Sequence, residues 1–184
     1  MAIDPGESDQ EGSGKYACWY EQADTLSQGS ILRDVRVFEE LADSTDEVAS
    51  VAPRRINAIV LTQSCDVLKK SQTRLLIAEI QTYRAIADEH GGFFRTDKWR
   101  KQLADGLTIA EFILPPSPGI IDDWSLVNFR ELHTVRRANV LGHDRFVGLN
   151  SPYREHLGQA FARFMMRVGL PTVIDSAEFV NFPL

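Results

Sequence analysis

The run Ile56-Asn57-Ala58-Ile59-Val60-Leu61-Thr62 constrains the fold of this chain more than any other segment. It is rich in β-branched residues, too short for a typical helix, and apolar on both of its faces. Such a strand must be covered on both sides, which predicts a central place in a sheet. It delivers Gln63-Ser64-Cys65-Asp66 into a turn, a position from which loop residues often project into a site. Arg74-Leu75-Leu76-Ile77-Ala78-Glu79-Ile80 is a second run of the same kind, so the two are expected to pair as a hairpin across the long loop Gln63 to Thr73.

Around this pair the punctuation of the chain predicts the remaining elements. Gly29-Ser30-Ile31-Leu32 opens a strand that alternates through Val35 and Val37 to Phe38, followed by an acidic, small-residue loop from Asp43 to Pro53. Helical character fills an insertion at 83–106, with Tyr83 to His90 stopped by Gly91-Gly92 and Asp97 to Leu103 stopped near Gly106. Strands are expected again at Thr108 to Leu114, Trp124 to Val135 and Arg145 to Leu149, with Pro115 to Gly119 as a break. Six strands are enough to curl into a small barrel. A C-terminal helix over 152–168 is marked by Ser151 as N-cap, Pro152 at the first position, Gly169 past the end and Pro171 beyond it. Its Leu157, Phe161, Phe164, Met165 and Val168 form one apolar stripe that should dock on the sheet. The expected class is therefore mainly β with α (α+β): one domain over 15–171, with an acidic disordered leader at 1–14 and a tail at 172–184.

Charge is unevenly spread. The 184 residues carry a net charge of -6, yet residues 1–53 hold twelve acids against Lys15, Arg33 and Arg36. From Trp124 to Pro171 seven arginines, among them Arg136, Arg137, Arg163 and Arg167, face only Glu131, Asp144 and Glu155. A basic region in an acidic chain suggests an anionic partner, either RNA or an acidic protein surface, although solvated charge and the dipole of the last helix also explain Arg163 and Arg167. No stretch approaches the roughly 20 apolar residues of a membrane span, and the polar start lacks the pattern of a signal peptide. A cytoplasmic protein with reduced Cys18 and Cys65, and no membrane partner, is the expectation.

Few residues point to chemistry on their own. Cys65 with His133 or His143 as base would make a nucleophilic pair, but a small buried thiol beside an aspartate that closes a turn is the preferred reading. His90, His133, His143 and His156 lack metal-ligand spacing along the chain, and Gly91-Gly92 lacks the signature of a phosphate loop. No metal or cofactor is expected.

Gly29-Ser30-Ile31 opening the first strand, Arg54-Arg55 leading into Ala58-Ile59-Val60-Leu61, Leu75 to Ile80 in the next strand, and Ser125 to Val135 late in the chain follow one another in a familiar order. In this order the chain resembles the MazF/PemK-like toxins. The resemblance implies a small SH3-like barrel completed by a C-terminal helix, and metal-independent cleavage of single-stranded RNA. An arginine before the central strand would grip phosphate oxygens, and a Thr or Ser at the end of the next would help move protons. Those roles fall on Arg54 or Arg55 and on Thr82, with Gln81 at the strict position of the hydroxyl. The usual Arg-Pro is missing, and Gly-Ser-Ile replaces Gly-Asp-Ile.

Two functions follow. The first is a divergent MazF-like binding module for a protein partner in a stress-response, toxin-antitoxin or defence system. Its contacts would draw on Gln63, Cys65, Asp66, Gln81, Arg136, Arg137, Arg163 and Arg167, and a homodimer is compatible with it. The second is an endoribonuclease using Arg54, Arg55 and Thr82 on single-stranded RNA.

Overall fold

The computed structural model describes residues 16–41, 50–141 and 145–166. The expected leader at 1–14, the tail at 172–184, His143, and the end of the last helix with Arg167, Val168, Gly169 and Pro171 lie outside them.

The chain forms an α+β fold around a curled, antiparallel, seven-stranded half-barrel sheet, with four α-helices among the described residues. The strands are β1 (Tyr20–Ala23), β2 (Ser30–Glu40), β3 (Val51–Val60), β4 (Arg74–Thr82), β5 (Glu111–Leu114), β6 (Ser125–Arg136) and β7 (Phe146–Leu149). Their spatial order is β1-β7-β2-β3-β4-β6-β5. The helices are α1 (Ser64–Val67), α2 (Tyr83–His90), α3 (Asp97–Ala104) and α4 (Tyr153–Met165).

The two apolar runs behave as their composition requires. β3 and β4 sit at the middle of the sheet and pair with each other from Asn57↔Ile80 to Val60↔Ile77. Alternate residues serve opposite faces. On one face Ile59, Ala78, Ile80, Val127 and Phe129 form a core with Leu157 of α4, and Phe161 and Phe164 flank the Phe129 ring at 5.4 and 5.8 Å. On the other, Ile56, Ala58, Val60, Leu75 and Ile77 are enclosed by Leu26, Val67, Val140 and Phe146 as the sheet curls. A third cluster, Ile86, Leu103 and Leu126, sits beneath the helical insertion, where α2 and α3 are capped by the hydroxyls of Thr82 and Thr96.

Several boundaries differ from the sequence reading. β1 was not expected: it is a four-residue edge strand, Tyr-Glu-Gln-Ala, with no apolar run to announce it, and it exists because β7 offers it an edge. Val51, Ala52 and Pro53 belong to β3 rather than to a loop, paired with Glu40, Glu39 and Phe38. α4 begins at Tyr153 with Pro152 as its cap residue and no side-chain capping bond, so Ser151 is not the N-cap. Asn150 does the local bonding instead, accepting from the Ser151 amide through its side chain and from the Arg154 amide through its carbonyl. Met165 is exposed, because the docked stripe is narrower than the apolar one and runs through Leu157, Phe161 and Phe164.

Among the described residues β2 pairs with β7 through Ser30↔Gly148 and Ile31↔Val147. The backbones come so close there that a Cβ on Gly148 would lie 2.9 Å from the Gly29 carbonyl oxygen. Beyond Ile31 the two strands part, and the far edge of β2 is unpaired among the described residues.

Two outcomes follow for stability. Leu157→Ala is expected to cost about 2–5 kcal/mol in denaturant unfolding, because it empties a fully buried position between helix and sheet. The Tyr20 hydroxyl donates to the Pro115 carbonyl at 2.6 Å, and burial raises its pKa well above the ordinary tyrosine value. The folded state therefore favours the neutral phenol. This contribution should be intact below pH about 10 and decline as pH rises past it, and Tyr20→Phe should flatten that alkaline slope.

Candidate functional site

The residues singled out from the sequence do not gather into one site. Arg54 and Arg55 are neighbours on β3 and so point to opposite faces of the sheet. Arg54 shares its face with Ile56 and Ala58. There its guanidinium donates twice to Glu79 of β4, from Nη1 at 2.9 Å and from Nη2 at 2.6 Å, while the Glu39 carboxylate abuts its Nε. Glu79 is only 7% exposed at its side chain, so this fork-to-fork pair is what allows a carboxylate to lie within the sheet's face. The Glu79 hydrogen bonds are also the largest reason that the Arg54 pKa is raised, with burial opposing them. An arginine held by two carboxylates is not poised to grip a phosphate.

Arg55 has a different local duty. Between Leu32 and Val35 the register of β2 against β3 shifts, and Asp34 there takes a left-handed backbone with φ 54°. Aspartate tolerates that conformation better than most residues. The Arg55 Nη1 donates to both the Asp34 carbonyl (3.0 Å) and its carboxylate (2.7 Å), and Asn57 accepts from the Asp34 amide. Arg55 thus pins a bulge. The third member of the expected ribonuclease set, Thr82, caps α2 by accepting from the Ala85 amide. Gln81 stands beside it, half-buried and opposite Leu126. The structure therefore places Arg54, Arg55 and Thr82 in three separate structural roles.

The turn after β3 also departs from expectation. Gln63 to Asp66 enters the single helical turn α1, with the Asp66 amide donating to the Gln63 carbonyl, and Asp66 pairs with Lys69 at 2.6 Å. Cys65 is exposed rather than a buried thiol: β3 ends at Val60, so the helical turn that follows turns Val67 inward and Cys65 outward. Its sulfur meets the Gln63 carboxamide oxygen at 3.9 Å, and among the described residues no histidine bonds to it. Among the basic candidates, Arg163 donates to the carbonyls of Gly106 and Thr108 and so ties α4 to the end of the insertion. Arg136 is exposed opposite Arg74, and the Arg137 amide donates to the Thr73 carbonyl.

Two concavities of about 660 Å³ each are open to solvent. One lies beneath the insertion, among Trp19, Tyr83, Trp124, Arg84, Arg95 and Arg100. Here Arg84 and Arg95 already face Asp123 and Asp88, and Arg100 lies over the Tyr83 ring. The other follows the parted edge of β2. Its wall includes six consecutive residues, Ile31 to Arg36, so both faces of the strand and its bulge at Asp34 border it. Arg55 and Arg145 join Arg33 and Arg36 along it, with Asp34 as the single acid, over an apolar floor that includes Ile120 and Phe146.

Arg36 and Arg55 are directly opposed across β2 and β3. Like charges in such a cross-strand pair repel unless an anion lies between them. Arg55 has Asp34, whereas Arg36 and Arg145 make no ion pair among the described residues. Sequence reasoning missed this cleft. Its signal, Arg33 and Arg36 on a strand within an acidic segment, was visible but averaged away in the regional charge.

Comparison with protein-family models, with curated proteins and with solved structures finds no match to this chain. Among the described residues no helix is long and apolar enough to cross a membrane.

Glu79→Gln should destabilise the fold by about 1–3 kcal/mol in urea unfolding, a range tempered by the one-third exposure of Arg54. Cys65→Ser, by contrast, should stay within about 0.5 kcal/mol of the wild type, as expected for an exposed side chain without a packed role.

Proposed function

We propose that this chain is a non-catalytic binding module, a divergent barrel of the MazF/PemK-like kind, whose β2 cleft receives an extended acidic segment of a partner protein. The observation that carries this reading is the parted edge of β2, unpaired beyond Ile31 among the described residues and flanked by Arg33, Arg36, Arg55 and Arg145. A strand edge offers a row of backbone donors and acceptors to an incoming strand, and the guanidinium groups of Arg36 and Arg145 select carboxylates along it, since Arg33 donates to the Gly119 and Ile120 carbonyls and Arg55 to Asp34. Phe38, 64% exposed on the same strand and lying beneath the Arg36 guanidinium, adds an apolar contact for such a segment. The curled antiparallel sheet with a helix docked on it is what supports the MazF/PemK-like part of the proposal.

The ribonuclease reading has less behind it. Arg54 is held by Glu79 and Glu39 and Thr82 is spent as a cap, so neither is placed to act on a phosphate.

Fluorescence anisotropy with a labelled ten-residue peptide of alternating Glu and Val tests the proposal. Binding should weaken as salt rises, be absent for the Lys and Val counterpart, and fall at least about tenfold, or about 1.4 kcal/mol, in Arg36→Glu/Arg145→Glu. A peptide that fails to bind while a single-stranded RNA oligonucleotide does would overturn it. So would fragments of that RNA formed in EDTA and lost in Arg54→Ala, or a stable dimer in sedimentation equilibrium that dissociates in the double variant.

A further inference from the structure

We infer that Glu79, Glu131 and His133 form a binding site for one divalent transition-metal ion. The three residues come from two adjacent strands, Glu79 from β4 and the others from β6. Up to Ala78↔Leu132 the strands run in regular register, with His133 opposite Ile77. The next pair is Glu79↔Asn128, so Phe129, Arg130 and Glu131 are extra residues on β6. This bulge brings Glu131 back toward Glu79 on the face that His133 already shares. One ligand atom from each residue then lies within 4.8 Å of the other two. Oxygen and nitrogen ligands about 2.0–2.2 Å from a common ion in tetrahedral geometry stand about 3.3–3.6 Å apart, so the cluster lies within a small side-chain adjustment of binding one.

Bonding within the cluster is incomplete. The His133 Nε2 is shielded from solvent and has no hydrogen-bond partner. Glu131 makes no ion pair among the described residues, and no hydrogen bond joins any two of the three. Charge is unbalanced as well: Glu39, Glu79 and Glu131 supply three negative charges in contact with, or near, the single positive charge of Arg54. A divalent cation would neutralise the excess that Arg54 leaves. Arg54 occupies one side of the Glu79 carboxylate and leaves each oxygen a second lone pair, so it would orient this ligand much as other outer partners orient metal-bound carboxylates.

Two carboxylates with one imidazole suit Zn²⁺ or Mn²⁺ better than Ca²⁺ or Mg²⁺, which take all-oxygen sets, and three protein ligands leave positions for water. Nothing in this assignment depends on the peptide cleft, which lies along β2.

Titration calorimetry of the full chain with ZnCl₂, MnCl₂, MgCl₂ and CaCl₂ is the test, run on the wild type and on Cys18→Ser/Cys65→Ser, because both thiols are exposed and thiolate is itself a zinc ligand. One Zn²⁺ or Mn²⁺ per chain, retained without the thiols, is expected. That binding should weaken at least about tenfold in Glu131→Gln and in His133→Gln, each checked for an unchanged far-ultraviolet spectrum. Because Glu131 is exposed, its substitution leaves the packing alone. Bound Mn²⁺ should also broaden the His133 imidazole resonances selectively. Binding that vanishes with the thiols, that is indifferent to Glu131→Gln and His133→Gln, or that is as tight for Mg²⁺ and Ca²⁺ would overturn the site, as would no binding at all.

Discussion

The two-sided burial of β3 and β4 is the constraint on which the rest of this structure depends. Ala58, Ile59, Val60, Leu75, Ile77 and Ala78 are all fully enclosed, so the sheet that contains them needs a cover on each face. The chain supplies the covers in different ways. α4 is laid against one face through Leu157, Phe161 and Phe164, and the other face is closed by curling the sheet onto Leu26, Val67, Val140 and Phe146. Curling has a local cost in pairing. β2 and β7 meet at Ser30↔Gly148 and Ile31↔Val147, and the cleft along β2 is the gap that remains among the described residues.

Against that apolar background the Arg54–Glu79 pair stands out, since β-sheet faces of this kind are filled elsewhere by Val, Leu and Ile. Its two charge-assisted bonds satisfy both partners, yet Glu39 and Glu131 crowd the same region and leave the cluster negatively charged. The opposite imbalance holds at the β2 cleft, where four arginines meet one aspartate. The protein thus carries an acidic site on the face of the sheet and a basic one at an edge. Neither is evident from a net charge of -6.

Periodicity made much of the fold legible before any coordinates. The central hairpin, both helices of the insertion and the docked helix are all announced by runs and stops that act over a few residues: apolar runs at 56–62 and 74–80, Gly91 as a left-handed terminator, and the Leu157, Phe161 and Phe164 stripe. Legibility failed where an element owes its existence to a distant partner. β1 is a strand because β7 borders it, Ser151 does not cap because Asn150 bonds first, and Cys65 faces outward because the strand before it stops at Val60.

The candidate sites divide along the same line. By itself the amino-acid sequence determined that β3 and β4 would be central, that the insertion would be helical and that arginine would accumulate late in the chain, since burial pattern, caps and charge are properties of short stretches. Only the tertiary structure decided what the candidate side chains do. Which carboxylate meets Arg54, whether Arg55 is free or pins a bulge, and whether His133 stands alone or beside two glutamates are all set by register between strands, and a shift of one residue would send each side chain to the other face.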